Sequence, residues 1–253
     1  MNLRTPFIWA HLVSRVKNPW PLFCDRIGMQ KTPYILHVRH GLQMELRPGR
    51  GDLTAFRESW LREIYTEFGQ DLAEGDTVID VGANVGCFAL FAAHKVGSTG
   101  RVIALEPNGE TFRQLDRNIA LNRLQNVQSL RMAMSGQSGM VQFHCHHDAL
   151  LSSLYQTVDG HAVFGEVEEV PAITFQQLLT EQGIDHCHFL KLDCEGAEHD
   201  IVSGMTPEIA SRIDRIGMEL HKIEGRDPDD LVRRLQGFGF GMQRQGEVLY
   251  FYR

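Results

Sequence analysis

Residues 78–86 read Val-Ile-Asp-Val-Gly-Ala-Asn-Val-Gly, an apolar run with one acidic residue that passes into a glycine-bearing turn. A helical pattern follows at 87–93, and a second apolar run at 101–105 ends at Glu106. This order predicts a strand, a helix and a second strand, which is the βαβ unit of parallel sheets. Ligands of open α/β sheets bind at the carboxyl ends of the strands, so Asp80 and Glu106 mark a predicted binding edge.

The residues of this unit indicate which ligand binds. Gly82 and Gly86 let a ligand approach the backbone closely, and Glu106 can accept hydrogen bonds from both hydroxyls of a ribose. The pattern lacks the middle glycine of the G-x-G-x-x-G fingerprint, and the carboxylate of Asp80 would repel a pyrophosphate. S-adenosylmethionine has one ribose with both hydroxyls free and carries a sulfonium and an ammonium group. It therefore fits better than a nicotinamide or flavin dinucleotide, and a βαβ unit without a ligand is the remaining alternative.

We expect the cofactor site to extend over the ends of several strands. A third strand is predicted over residues 127–134, and its end forms a wall of the adenine pocket in such folds. The predicted contacts are Asp80, Gly82, Ala83, Asn84 and Gly86 in the turn, Glu106 at the ribose, Asn108 near the adenine edge, Ala133 and Ser135 on the adenine wall, and Asp193 across the cleft.

Three segments together resemble the FkbM family of S-adenosylmethionine-dependent methyltransferases: Asp80–Gly86, Glu106–Asn108 and Phe189–Glu198. The resemblance covers roughly residues 50–245, and the pattern Lys-x-Asp-x-Glu-Gly-x-Glu at 191–198 separates this family from methyltransferases in general. It implies a Rossmann-like class I methyltransferase fold. It also implies O-methylation of a hydroxyl on a sugar or a natural-product intermediate.

Four residues near two neighbouring strand ends are candidates for the chemistry. Asp193 and Glu195 follow one predicted strand, while Glu219 and His221 end the next. Methylation of a hydroxyl needs a general base beside the cofactor. We assign that role to His221 or Asp193, with Glu195 and Glu219 orienting the acceptor or the base, and Lys191 holding a carboxylate ionised. A buried ion-pair network is the structural alternative, and a divalent cation bound by the four residues is another.

A polar loop is predicted to contact the substrate. The run His-Cys-His-His-Asp at 144–148 would place His144 and His146 on one face of a strand, but its spacing matches no strong zinc pattern. We therefore interpret it as a polar edge or substrate loop in which His147 contacts the acceptor. The family resemblance implies a ligand contact for Ser153 as well.

The N-terminal extension at 1–70 is predicted to contain a helix after Thr5, a hairpin at 34–47 and a second helix that begins at Asp52. The first helix is expected to form a lid or an oligomer contact, with plain packing on the core as the alternative. Asp52 and Glu63 match positions of the resembling family. They either help to close the site or have core and surface roles.

The methyltransferase domain is predicted at 71–253. Five alternating strand and helix steps indicate an α/β fold with a seven-stranded, mostly parallel sheet, closed by an antiparallel hairpin over 240–252. Apolar alternation at 141–145 and 166–170 predicts two additional strands.

Composition limits the class of protein. The chain has 253 residues, 43% of them hydrophobic, and a formal net charge of −7, which argues against a nucleic-acid partner bound through a basic surface. Its five cysteines include no C-x-x-C pair, which favours reduced cytoplasmic thiols over disulfides or zinc. No stretch is long and apolar enough to span a bilayer. We expect a cytoplasmic enzyme that acts on a small molecule, with a homodimer as an open option. The alternatives are N-methylation or a peptide acceptor, a dinucleotide-dependent oxidoreductase, and a cofactor-binding module without catalysis.

Overall fold

The computed structural model describes residues 14–253. In chain order its strands are β1 (Tyr34–His37), β2 (Gln43–Leu46), β3 (Thr77–Val81), β4 (Arg101–Leu105), β5 (Val127–Leu130), β6 (Ala133–Met134), β7 (Gly139–His146), β8 (Thr157–Val158), β9 (His161–Ala162), β10 (Gly165–Ile173), β11 (Cys187–Leu192), β12 (Ile213–Glu219), β13 (Gly241–Gln245) and β14 (Val248–Tyr252). Its α-helices are α1 (Trp20–Arg26), α2 (Asp52–Phe56), α3 (Cys87–Val96), α4 (Gly109–Leu121), α5 (Phe175–Glu181), α6 (Glu198–Ser203), α7 (Pro207–Ala210) and α8 (Pro228–Gly237).

The central sheet has seven strands in the order β13-β14-β12-β11-β3-β4-β5. Strands β12, β11, β3, β4 and β5 are parallel, while β14 runs antiparallel between β12 and β13. The predicted seven-stranded sheet and its terminal antiparallel hairpin are therefore confirmed. The carboxyl ends of β3, β4, β11 and β12 lie at one edge of this sheet, as the parallel register requires.

Both faces of the sheet are covered. Successive residues of a strand point to opposite faces, and Val78 and Ile79 accordingly belong to two different apolar clusters. On β4, Ala104 and Leu105 divide between the two clusters in the same way. Burial on both faces explains why these strands are continuous apolar runs in the sequence.

The described part of the N-terminal extension packs on one face of the sheet. Val16 forms a β-bridge with Val38, and the ring of Trp60 lies edge-on against Phe91 of α3 with their centroids 5.5 Å apart. The predicted first helix lies mostly outside the described residues. Its expected role as a lid or oligomer contact therefore stays a prediction. After α2 the chain continues as a π-helical segment, Arg57–Arg62.

The predicted continuous strand at 127–134 is wrong, because the chain leaves the central sheet after Leu130. Leu130 pairs with Leu105, the last residue of β4. The residues after Leu130 have no strand of the central sheet beside them. Because backbone N–H and C=O groups need hydrogen-bond partners, these residues pair with another sheet. Residues 133–134 therefore pair with β10 in a second sheet, of order β6-β10-β7. This sheet contains the two additional strands that the sequence predicts.

Within residues 14–253, no helix combines the length and the apolar character that crossing a bilayer requires.

Candidate active site

A cavity of about 800 Å³, counting the space open to solvent, lies at the carboxyl edge of the central sheet. The glycine turn, the end of β4, strand β6 and the loop after β11 line it on the sheet side. The π-helical segment and the loop after β7 complete its lining. The predicted residues on its wall are Gly82, Ala83, Asn84, Glu106, Ala133, Lys191, Asp193 and Glu195.

Glu106 is fixed at the end of β4 by two backbone donors. The N–H groups of Asn84 and Asn108 each donate to one of its carboxylate oxygens at 2.9 Å. Burial raises the pKa of Glu106 to about 7, although both hydrogen bonds favour the ionised form. A carboxylate oxygen can accept more than one hydrogen bond, so Glu106 keeps capacity for the two hydroxyls of a ribose. A nucleoside fits this end of the cavity on chemical grounds.

The glycine turn makes a close backbone contact with the loop after β11. Gly82 has a φ of +77°, and a Cβ there would lie 1.8 Å from the carbonyl oxygen of Asp193. Only glycine adopts this geometry without displacing that loop. Asn84 also has a positive φ, +49°, which asparagine tolerates better than most residues.

Asp80 and Lys191 form a buried ion pair behind the turn. Lys191 Nζ lies 3.1 Å from Asp80 Oδ1 and 3.5 Å from Asp193 Oδ2, and it donates to the carbonyl oxygen of Gly82. Burial opposes the charge of Lys191, but the two carboxylates raise its pKa above the ordinary value. Asp80 is fully buried and does not reach the wall, so it acts on the cavity through Lys191.

Tyr65 is a wall residue that the sequence reasoning missed. Its hydroxyl donates to Asp193 Oδ2 at 2.7 Å and lies 3.4 Å from Glu219 Oε2. Its ring lies 5.1 Å from Lys191 Nζ and packs edge-on against Phe88. Burial favours a neutral Asp193, but Lys191 and then His221 lower the pKa of that carboxyl below its ordinary value. Asp193 is therefore a stabilised carboxylate and a weak base.

Glu195 is held in a strained conformation on the cavity wall. Its φ is +52°, in the left-handed region that non-glycine residues rarely adopt. Ser153 Oγ donates to its carbonyl oxygen at 2.5 Å, and the buried Glu198 accepts hydrogen bonds from the N–H groups of Cys194 and Gly196. Such conformations persist where surrounding contacts fix them, and they cluster at functional sites.

His221 lies between two carboxylates behind the wall. Its Nδ1 is 3.1 Å from Glu198 Oε1, and its Nε2 is 3.5 Å from Glu195 Oε2. Burial disfavours the imidazolium, but Glu198 and Glu195 raise the pKa of His221 to about 11. Burial raises the pKa of Glu195 to about 8, while the His221 cation opposes that shift. His221 is therefore a protonated cation at neutral pH, and the pKa of Glu195 lies close to neutral pH.

The same cluster bears on the metal alternative. Ligand atoms of Asp193, Glu195 and His221 all lie within 4.8 Å of one another. Metal ligation needs a neutral imidazole, whereas His221 carries a proton that both neighbouring carboxylates stabilise. Lys191 supplies a second positive charge beside Asp193. Each of these two cations lies between two carboxylates, so the donor set fits an ion-pair network better than a metal site.

The remaining predicted site residues lie off the wall. They are Asp80, Gly86, Asn108, Ser135, Ser153, His147, Glu219 and His221. Asn108 caps α4 by accepting a hydrogen bond from Thr111 N–H, and the N–H of Ser135 donates to Ile173 because the chain has joined the second sheet. The carbonyl oxygen of His147 accepts a hydrogen bond from Arg50.

The two other family-like positions also lie off the wall. Asp52 is fully buried and accepts hydrogen bonds from the guanidinium and the N–H of Arg47. Glu63 lies 3.1 Å from Arg15 and 3.8 Å from Lys95. Both therefore stabilise the N-terminal extension.

Comparisons with known proteins identify relatives of this chain. The chain matches the family model described as methyltransferase FkbM domain over residues 80–242. A relative from Streptomyces tacrolimicus, 31-O-demethyl-FK506 methyltransferase FkbM, is 27% identical over 77% of this chain and 84% of that protein. Methyltransferase sdnD of Sordaria araneosa is 25% identical over 72% of this chain and 82% of that protein. Among solved structures, Aeropyrum pernix fibrillarin with natively bound S-adenosyl-L-methionine is 12% identical, with a TM-score of 0.46, over 87% of this chain and 93% of that one.

Proposed function

The chain belongs to the FkbM methyltransferase family and its cofactor is S-adenosylmethionine; from that premise we propose that it methylates a hydroxyl group of a small, polar acceptor. The observation that carries the proposal is Glu195, a carboxyl on the cavity wall whose pKa is raised to about 8. A hydroxyl acceptor must lose its proton as the new bond forms. A base that titrates near the working pH serves that purpose best.

The residues of this chain divide the work in the following way. Bound S-adenosylmethionine supplies a methyl group that is already activated by the positive sulfur. Glu106, held by two backbone N–H groups, binds the ribose. Glu195 accepts the proton of the acceptor hydroxyl. His221, 3.5 Å from the Glu195 carboxylate, stabilises its ionised form and orients it.

Glu195 is a better base than the two residues that the sequence favoured. Asp193 accepts a hydrogen bond from Tyr65 and lies beside Lys191, so its carboxylate has little affinity for a proton. His221 already carries a proton and lies behind the wall. We therefore propose Asp193 and His221 as positioning residues and Glu195 as the base.

The class of acceptor follows from the enclosure of the cavity and from one relative. Segments around Glu58 and Leu150, which lie outside the central sheet, also line the cavity, and this lining favours a small molecule over a folded protein. The Streptomyces tacrolimicus relative is named as the methyltransferase of an O-demethyl compound, and that name supports oxygen as the acceptor atom here. A sugar or a natural-product intermediate with several hydroxyls fits this reading.

The test is to identify the atom that receives the methyl group. The enzyme is incubated with methyl-¹³C S-adenosylmethionine and a panel of small hydroxylated or amine-bearing acceptors, and the products are examined by ¹³C NMR. The proposal predicts methoxy carbons that wild type and a Glu63→Gln control form and that Glu195→Gln forms far more slowly. Methylamine products alone would contradict it.

A further inference from the structure

Glu58 is a cavity residue supplied by the N-terminal extension. It lies in the π-helical segment Arg57–Arg62, and both Glu58 and Ser59 line the cavity together with the glycine turn. Single π-helical turns are rare and occur frequently at functional sites. The irregular turn thus places a carboxylate of the extension on the cavity wall.

The other charged groups on this wall have partners within the protein. Lys191 lies between Asp80 and Asp193. Glu106 accepts hydrogen bonds from two backbone N–H groups, and Glu195 lies beside the His221 cation. The positive charges at this end of the sheet are therefore already engaged.

Glu58 has no such ion-pair partner in the part of the chain that the structure describes. Within residues 14–253 no lysine, arginine or histidine nitrogen lies within 4.0 Å of its carboxylate, although Arg57 and Arg62 belong to the same segment. Burial raises the pKa of Glu58 and the nearby Asp193 carboxylate raises it further, while Arg62, Arg57 and Lys191 oppose the shift from beyond ion-pair distance. A partly buried carboxylate beside a second carboxylate is stabilised by a cation that binds in the cavity.

We propose that Glu58 binds the α-ammonium group of S-adenosylmethionine. The proposal deepens the proposed function and rests on its cofactor pocket, but it does not depend on the acceptor. An amino acid end carries an ammonium that needs a hydrogen-bond acceptor, and the wall offers no other carboxylate without a protein partner among the described residues. The extension thereby contributes directly to cofactor binding.

Calorimetry with three ligands tests this assignment without any acceptor. S-adenosylmethionine and S-adenosylhomocysteine both carry the ammonium group, whereas 5′-methylthioadenosine keeps the nucleoside and lacks the amino acid. Glu58→Gln removes the charge and keeps the shape of the side chain. Glu63→Gln is the matched control, because Glu63 lies in the same region and pairs with Arg15 and Lys95.

Glu58→Gln should lower the affinity for both amino-acid-bearing ligands by about 10-fold or more, because a hydrogen bond to a charged group is lost. Binding of 5′-methylthioadenosine should stay within about 2-fold of wild type, and Glu63→Gln should change none of the three affinities. Equal weakening of all three ligands, or of none, would overturn the proposal. Unchanged cofactor affinity with lost turnover would assign Glu58 to the acceptor instead. A thermal melt of each variant checks that it is folded. Binding of S-adenosylmethionine to the wild type is measured separately, so it tests the cofactor pocket independently of the result for Glu58→Gln.

Discussion

The pH dependence of the reaction tests the role of Glu195 most sharply. The carboxylate must be ionised to accept a proton, so activity should rise with pH through the pKa of this group. Burial raises that pKa to about 8, against the opposing cation of His221. With a pKa of about 8, about one tenth of Glu195 is ionised at pH 7 and about nine tenths at pH 9. The account therefore predicts that kcat/KM increases about 10-fold between these values.

The assay measures kcat/KM for a hydroxyl acceptor that does not titrate in this range. Glu195→Gln should lower activity by about 10²- to 10⁴-fold and remove the rise with pH. His221→Asn should move the rise to higher pH, because the cation that favours the ionised carboxyl is gone.

Other carboxyls at the cavity make the control necessary. Burial raises the pKa values of Glu106 and Glu219 to about 7, and it raises the pKa of Glu58 as well. If the rise with pH persists in Glu195→Gln at reduced activity, one of these groups causes it. That result would refute the assignment of Glu195 as the base.

Two further pairs of substitutions test the architecture of the wall. Gly82→Ala should lower the free energy of unfolding by about 3 kcal/mol or more and abolish cofactor binding, because the new Cβ meets the Asp193 carbonyl oxygen. Gly69 has the same φ of +77°, but no atom lies within 4 Å of the Cβ that Gly69→Ala would add. This control should therefore lower the free energy of unfolding by only about 1–2 kcal/mol, as measured by a thermal melt. Equal losses of stability in the two variants would refute the steric explanation. Tyr65→Phe should lower the free energy of unfolding by about 1.5–3 kcal/mol, because Asp193 loses a hydrogen-bond donor. It should also weaken the binding of S-adenosylmethionine, as measured by calorimetry. Tyr34→Phe, which loses a comparable hydrogen bond away from the cavity, should leave cofactor affinity unchanged, and a matching loss of affinity there would contradict the assignment.

The central sheet could be predicted because its physical signals are local. Strands buried on both faces appear as apolar runs, and strand ends appear as acidic residues followed by turns. Glu106 and the glycine turn therefore stood out in the sequence, and the structure brings both to one cavity. The three candidate carboxylates, Asp193, Glu195 and Glu219, were also predicted to lie near His221, since parallel strands end at one edge.

The part of the cavity wall that the N-terminal extension supplies had no local signal in the sequence. Tyr65 and Glu58 lie far along the chain from Asp193, and only packing of the extension on the sheet brings them near it. A π-helical turn depends on tertiary contacts rather than on a residue pattern. The base that we propose differs from the two that the sequence favoured for a related reason. Burial and neighbouring charges set the pKa values of His221 and Glu195, and a sequence shows neither.

Calorimetric titration with S-adenosylmethionine tests the central claim, that the carboxyl edge of the sheet is the cofactor pocket. The account predicts micromolar binding of S-adenosylmethionine and S-adenosylhomocysteine and no binding of NAD⁺. Glu106→Ala should weaken the first two by about 100-fold or more, because two hydrogen bonds from ribose to a carboxylate are lost. Glu110→Ala, at an exposed residue on the next helix, should change nothing. Binding of NAD⁺ in place of both ligands, or full affinity in Glu106→Ala, would contradict the account.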